Sequence, residues 1–385
     1  MTRGLLLAAC VTASAVAASA QPAALRGAAP PAAAPLVDAD ATPETRALVA
    51  NLRRLAPDHD LVGHHDARAY GVTWAGDADR SDIRDVAGQH PALVGFDVLS
   101  YDRGPDADPE RYAADRARQR RLVLDAYRAG EAVTVCWHAW NPASGGSAWD
   151  TTAAVARVLP TGDLHRAYLT RLDSVAAFLG SLRGDGGELV PVLFRPYHEH
   201  NGSWFWWGGR HTTRDDFNAL WRMTVERLRD VRGLHNLVWV FSPDVFDTRG
   251  GYLDRYPGDA YVDVFGFDDY YDFYGPGRSP DLFVAQVREL AGEARARGKL
   301  AAITETGLEA VRDPTWFTNV LLRSLQTDEL TRSLAYVMLW RNAHDRPDHF
   351  YAPHPGHASV PDFLDFVRSP VTLLADDLPN LYRLP

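Results

Sequence analysis

This chain predicts a single-domain α/β protein folded as a (β/α)8 TIM barrel, and three observations carry that expectation. Short apolar runs recur eight times, stretches of helical period separate them, and each run ends in polar or aromatic residues. A parallel strand covered on both faces reads as a continuous apolar run, and in a barrel the C-terminal strand ends converge on one working face. The competing architecture, a doubly wound open sheet, would want a Gly-rich phosphate loop after an early strand, and no GxGxxG or GxxxxGK[ST] occurs. The 385 residues, 46% hydrophobic and 23% charged, suit one barrel with insertions, and no internal repeat calls for a second domain.

The N-terminus reads as a targeting signal. Arg3 precedes the apolar run Leu5 to Val16 and the small-residue pattern Ala18-Ser19-Ala20. Residues 1–20 are therefore expected to leave as a signal peptide, giving a secreted or periplasmic protein. Leu7-Ala8-Ala9-Cys10 offers lipid anchoring at Cys10 as the alternative. The run is too short for a membrane-spanning helix. Residues 21–36, rich in Ala and Pro, read as a flexible lead-in, and 37–385 as the folded domain. With Cys10 removed, only Cys136 remains, so no intramolecular disulfide is expected. Cys136 lies inside an apolar strand and reads as a core residue.

The first run, Leu61-Val62-Gly63, ends His64-His65-Asp66, and Tyr70-Gly71-Val72-Thr73-Trp74 follows in the loop. The second is Leu93 to Leu99, followed by a helix over Pro109–Tyr127. The third is Ala132 to Trp137, ending His138-Ala139-Trp140-Asn141-Pro142. Tyr168, Leu172, Val175, Ala176 and Leu179 then mark a helix of 3.6 period. The fourth run opens VPVLFRPYHEHNGSWFWWGG, Val190 to Gly209, and Thr213 caps a helix with Phe217, Leu220, Trp221, Val225 and Leu228 on its apolar face. The fifth is Leu237 to Phe241. The sixth, Val262 to Phe267, ends Asp268-Asp269-Tyr270-Tyr271, and a helix from Leu282 stops at Gly298. The seventh, Leu300 to Thr304, ends Glu305-Thr306-Gly307. The eighth, Leu334 to Leu339, ends Trp340-Arg341-Asn342. Helices near Trp316–Leu325 and Val360–Val367 complete the pattern.

Glu199 ends the fourth strand and Glu305 the seventh, on opposite sides of the ring, so their carboxylates can face each other. Two facing carboxylates serve glycoside hydrolysis, one as proton donor and one as nucleophile. A Glu at a strand end can equally be paired with an arginine. Arg195 offers that for Glu199, whereas no cation adjoins Glu305 in sequence. Glu131 and Glu188 precede their strands and belong to the opposite face, while Glu226 and Glu293 fall on polar helix faces and read as solvated. The 11 Trp, 15 Tyr and 15 Phe mostly fill the core, but clusters at strand ends suit sugar rings, whose C–H faces stack on aromatic planes. A formal charge of -10 argues against nucleic acid or an anionic membrane as partner. His64, His65, His198 and His200 raise a metal reading, but His198 and His200 flank Glu199 and would turn it away from a shared ion. No metal or other cofactor is expected. Asn201-Gly202-Ser203 matches a glycosylation sequon inside the expected cleft.

These motifs resemble glycoside hydrolase family 26. The resemblance rests on Arg195-Pro196-Tyr197-His198-Glu199 with Asn201-Gly202 and Trp204-Phe205-Trp206-Trp207-Gly208. It extends through Gly63-His64, Tyr70 to Trp74, Trp137-His138, Asn141-Pro142, Gly266-Phe267-Asp268 with Tyr270, Thr304 to Gly307, and Trp340-Arg341-Asn342. It implies an endo-β-1,4-mannanase acting on polysaccharide of the β-mannan type, as a monomer, by retaining double displacement. Glu199 would be acid/base and Glu305 nucleophile, with Tyr270 and His198 as donors to Glu305. Trp340 would floor the sugar at the cleavage point and Arg341 would contact the next sugar on the non-reducing side. His138 and Asp268 would bind hydroxyls, and Trp204 and Trp149 would stack on the leaving-group side. Trp206 and Trp207 read as packing. Within the family, mixed-linkage β-glucan and β-1,3-xylan are alternative polymers. Outside it, a non-catalytic carbohydrate-binding barrel would keep the aromatics with no need of both carboxylates.

Overall fold

The computed structural model describes residues 34–98 and 108–384. The expected signal peptide, Cys10 and most of the lead-in lie outside the described residues. Ala34 already donates its N–H to the Gly298 carbonyl (3.0 Å), so the fold takes hold of the chain slightly before residue 37.

Eight parallel strands form the barrel: β1 Asp60–His65, β2 Leu93–Asp97, β3 Ala132–Trp137, β4 Val192–Pro196, β5 Leu237–Phe241, β6 Val264–Asp269, β7 Leu300–Thr306 and β8 Tyr336–Leu339. Each pairs with the next in sequence, and β8 pairs back on β1, Leu61 opposite Tyr336 and His64 opposite Leu339, which closes the ring. All eight runs expected from the sequence are strands, shifted at their ends. The β4 ladder starts at Val192, since Pro191 has no N–H to donate.

Alternation along the strands divides the core in two. Leu61, Leu93, Ala132, Leu193, Val238, Val264, Leu300 and Tyr336 point into the barrel and pack with the helix Pro43–Leu55 and with Leu381 and Tyr382. Val62, Val94, Val133, Phe194, Trp239, Phe265 and Ile303 point outward against the surrounding helices. Helix Arg214–Glu226 shows the local logic. Thr213 Oγ1 accepts the Asp216 N–H at its start (3.1 Å), and Phe217, Leu220, Trp221 and Val225 are fully buried on one face. Each such side chain contributes about 1.5–3 kcal/mol of burial. Glu293 is no solvated helix residue: Arg249 and Arg297 both pair with it, and its side chain is largely covered.

Two irregularities bear on function. On β7 the register slips: Phe267 faces Ile303 but Asp268 faces Glu305, and Val337 faces Ile303 but Leu339 faces Thr306. One extra residue is thus accommodated on β7, a β-bulge that re-aims the side chains beyond it. At the end of β4, Tyr197 and Glu199 take φ of 50° and 51°, left-handed values that cost non-glycine residues about 1–3 kcal/mol each.

Candidate active site

Parity alone would have aimed Thr304 inward on β7 and Glu305 outward. The bulge lets both reach the interior. Thr304 Oγ1 donates to Asp268 Oδ1 (2.6 Å), while Glu305 stands beside Asp268 and Glu199. Gly266 makes the room, since a Cβ there would lie 2.5 Å from Thr304 Cγ2. Glu305 receives the Tyr270 hydroxyl on Oε2 (2.8 Å) and the Arg195 guanidinium on Oε1. The other arm of Arg195 donates to Asp268 Oδ2 (2.7 Å) and Ser242 Oγ (3.1 Å). A buried chain, Thr304–Asp268–Arg195–Glu305, therefore underlies the carboxylate, and both donors on Glu305 suit its charged form.

Glu199 is held differently. Its N–H donates to the Ser242 carbonyl (2.8 Å), and the indole N–H of Trp204 reaches its Oε2 at 2.5 Å. The left-handed bends on either side of His198 are fixed by Tyr197, whose hydroxyl bonds those of Tyr168 (2.5 Å) and Thr224 (2.9 Å), and by Trp207, whose N–H donates to the His198 carbonyl (2.8 Å). Burial, and after it the charges of Asp268, Glu305 and Asp244, pushes the Glu199 carboxyl well above the usual carboxylate range; the Trp204 hydrogen bond pulls the other way. One carboxylate oxygen from each of Glu199, Asp268 and Glu305 lies within 4.8 Å of the other two.

Several residues are placed otherwise than the sequence suggested. Arg195, offered as a partner for Glu199, is spent on Asp268 and Glu305. Asp268, expected to bind a sugar hydroxyl, is wholly buried with its oxygens committed to Arg195 and Thr304, and Arg195 links it to Glu305. His198 was expected to donate to Glu305. It packs edge-on against His138 at 4.5 Å and against Phe205, and makes no such bond among the described residues; burial lowers its pKa well below the ordinary histidine value. The four histidines behind the metal reading do not converge. His65 stacks beneath Trp340 (4.5 Å, 23°), and His200 is sandwiched by Phe217 and Phe241 at 4.5 and 4.6 Å. Neither ring nitrogen of His200 has a hydrogen-bond partner among the described residues. A second acid–histidine group, Asp97, Cys136 and His138, also lies within 4.8 Å, with His138 Nδ1 hydrogen-bonded to Asp97.

Beside the carboxylates runs a cleft of about 960 Å³, lined by His65, Asp66, Tyr70, Asp97, His138, Trp149, Trp340 and Arg341 among others. Arg341 lies over the Tyr70 ring (5.8 Å), and Tyr70 donates to Asp66, a cleft carboxyl that burial pushes up to about 6. Trp149, 57% exposed, stacks on His138 at 5.1 Å. It stands at a junction, sharing the cleft with Trp340 while touching Phe205 (5.4 Å), which also touches Trp204 (6.3 Å). Trp206 and Trp207 are fully buried, as packing requires. Other motif residues serve as scaffold. Asp82 accepts from Trp74, Val72 and Asn342, and Asn141 holds the Asp150 and Thr152 carbonyls of the loop that carries Trp149.

Comparison with known proteins agrees with this geometry. The model of glycosyl hydrolase family 26 matches residues 37–319. A mannan endo-1,4-β-mannosidase of Bifidobacterium adolescentis is 33% identical over 357 residues, 88% of this chain and 35% of that protein. The chain thus spans about a third of that relative's length, and the match to a Bacillus subtilis mannan endo-1,4-β-mannosidase, 30% identical, takes in 58% of this chain and 62% of that one. Among solved structures, a family 26 β-mannanase of Bacteroides ovatus superposes with a TM-score of 0.83 at 40% identity, over 89% of this chain and 98% of that one. The eight-stranded barrel, its strand-end motifs and these matches lead to one conclusion: the chain belongs to glycosyl hydrolase family 26.

Proposed function

We propose that this protein is a retaining endo-β-1,4-mannanase in which Glu305 is the nucleophile and Glu199 the acid/base. The observation that carries the reading is the approach of the two carboxylates. An oxygen of each lies within 4.8 Å of the other, in keeping with the about 5–5.5 Å of retaining enzymes and short of the about 6.5–9.5 Å that inversion needs. Their surroundings divide the roles. Arg195 and Tyr270 hold Glu305 as an acceptor-only carboxylate, whereas Glu199 sits where burial and neighbouring acids favour its protonated form. In the first step Glu305 attacks the anomeric carbon while Glu199 gives its proton to the departing oxygen. In the second, Glu199 takes a proton from water, which opens the ester on Glu305 with net retention. As Glu305 becomes an ester and loses its charge, Arg195 keeps Asp268 as its partner.

Trp340 and Arg341 are assigned to the glycone side, Trp204 to the leaving-group side, and His138 and Trp149 to the junction. Mannan is the polymer because the relatives named above are mannanases. A panel of mannan, galactomannan, β-glucan and xylan tests this: cleavage of β-glucan or xylan in preference to mannan overturns the substrate. For the mechanism, Glu305→Ala should lose turnover of an activated aryl β-mannobioside and regain it with azide; turnover that survives without azide would falsify the nucleophile assignment. Arg3, Leu5 to Val16 and Ala18-Ser19-Ala20 further support export with cleavage after Ala20. Mass spectrometry of the exported protein should find Gln21 at the N-terminus, and an acylated Cys10 would refute this.

A further inference from the structure

We propose that Asn201 is a positioning residue for the acid/base and that its sequon is closed to glycosylation in the folded chain. The inference rests on the reading of Glu199 given above. Glu199 adopts a left-handed backbone just beyond the C-terminal end of β4, a conformation that persists only where the surroundings over-determine it. Its own N–H is tied to Ser242 at the end of β5 (2.8 Å). Two residues on, the Asn201 side chain ties the same loop to the same strand end a second time. Its Nδ2 donates to the carbonyls of Asp244 (3.1 Å) and Val245 (3.0 Å), and its Oδ1 accepts the Asp244 N–H (2.7 Å).

The anchor it grips is itself fixed to the nucleophile side. Asp268 N–H donates to the Pro243 carbonyl (2.9 Å), and Asp244 bridges to Asp268 in parallel register. Asp268 in turn holds Arg195 on Glu305. Asn201 therefore closes a loop of contacts from the acid/base through the ends of β5 and β6 to the nucleophile. That loop of contacts sets the spacing of the two carboxylates, the quantity on which the double displacement depends. Within the β4 loop, Gly202 N–H to the Glu199 carbonyl (3.0 Å) and Gly209 N–H to the Gly202 carbonyl (2.7 Å) make a compact turn that presents the amide sideways to β5. Both hydrogens of Nδ2, the atom a glycan would occupy, are engaged. The amide is exposed yet fully spent.

Leaving-group dependence tests this. General acid assistance matters for a poor leaving group and little for an activated one, so a displaced acid/base shows as a loss of kcat/KM that grows with leaving-group pKa. Asn201→Ala and Asn201→Asp would be assayed on aryl β-mannobiosides from dinitrophenyl to unsubstituted phenyl, with Glu199→Ala as reference. We expect little change on the dinitrophenyl substrate and a loss on the order of 10–100-fold on the phenyl one, as for misplacement of a catalytic group by about 1 Å. Asn201→Asp keeps the acceptor and the shape, and carries the test should the alanine variant fold poorly. A uniform loss across the series, or none, overturns the positioning role. A flat series for Glu199→Ala overturns instead the acid/base assignment on which it rests. Glycan found on Asn201 in active protein from a glycosylating host refutes the closed sequon.

Discussion

Replacing Arg195 by methionine removes the one guanidinium that two buried carboxylates share. The side chains of Arg195, Asp268 and Glu305 are 3%, 0% and 5% exposed, so water can replace little of what is lost. Removing one partner of a buried pair costs about 3–5 kcal/mol, because an uncompensated charge stays behind. Here two are left, which places the expected loss at pH 7 towards about 5 kcal/mol, a large part of the stability of about 5–15 kcal/mol typical of domains. The variant relieves itself by protonation. Burial already pushes Asp268 up, and without the guanidinium its folded pKa rises further above the unfolded value. A carboxyl shifted in that direction binds more protons folded than unfolded, so its destabilising effect grows as pH rises above the unfolded value and shrinks as pH falls towards it. Because burial already raises Asp268 in the wild type as well, the gap between the two proteins should narrow between pH 7 and pH 5 by less than the about 1.4 kcal/mol per pH unit that one full proton would give. Urea unfolding of both proteins at the two pH values measures this. A difference below about 1 kcal/mol at pH 7, with no narrowing at pH 5, would refute the claim that Arg195 neutralises a buried pair.

Three further outcomes follow from the same geometry. Glu199 must be protonated to act as acid, so kcat/KM should fall on an alkaline limb set well above ordinary carboxylate pH. Trp204→Phe, which removes a hydrogen bond favouring the charged form, should move that limb to still higher pH; a limb that stays put or moves down contradicts the assignment. Gly266→Ala sets a Cβ 2.5 Å from Thr304 Cγ2 and pushes the Thr304 hydroxyl off Asp268. A stability loss of about 1–3 kcal/mol is expected, with a drop in kcat greater than any change in KM, and wild-type kinetics would show that the Thr304 contact is idle. His200, buried without partners between two phenylalanines, has its pKa lowered well below 6.5, so stability is lost as pH falls through the unfolded value, where only the unfolded chain takes up a proton. His200→Phe should therefore gain on wild type by about 1.4 kcal/mol per pH unit below 6.5, and equal pH slopes in denaturant titrations would refute this.

The sequence made the barrel legible because the fold is written in period. Eight buried strands must be apolar on both faces, and the helices between them need one apolar stripe. Such patterns survive without any knowledge of which residues meet. The same reasoning pointed to the strand ends at which Glu199 and Glu305 come together, since both follow apolar runs. The alternative it left open, an ion pair of Arg195 with Glu199, is not the one the structure makes. Neighbourhood in sequence favoured Glu199, four residues on, but Arg195 lies on the inward row of β4 below the bend, and the inward row looks across the barrel to Asp268 and Glu305.

What period cannot express is the departure from period, and the site is built from two departures. Along β7, alternation would have aimed Thr304 inward and Glu305 away, and only the register slip brings both to bear. After β4, strict alternation would put His198 and His200 on one face and Glu199 on the other. Left-handed turns at Tyr197 and Glu199 break that rule, so His200 is driven into the aromatic layer while Glu199 stands beside Asp268 and Glu305. Neither device has a compositional mark, since no glycine stands at Tyr197, Glu199 or Thr304 to announce an unusual backbone. The visible marks lie on the partners that make the strain tolerable: Gly266 clearing space for Thr304, Thr224 taking the Tyr197 hydroxyl, and Asn201 lacing the bend to β5. The two carboxylates proposed for catalysis are therefore better read from the residues that hold their irregular backbone than from the strands they follow.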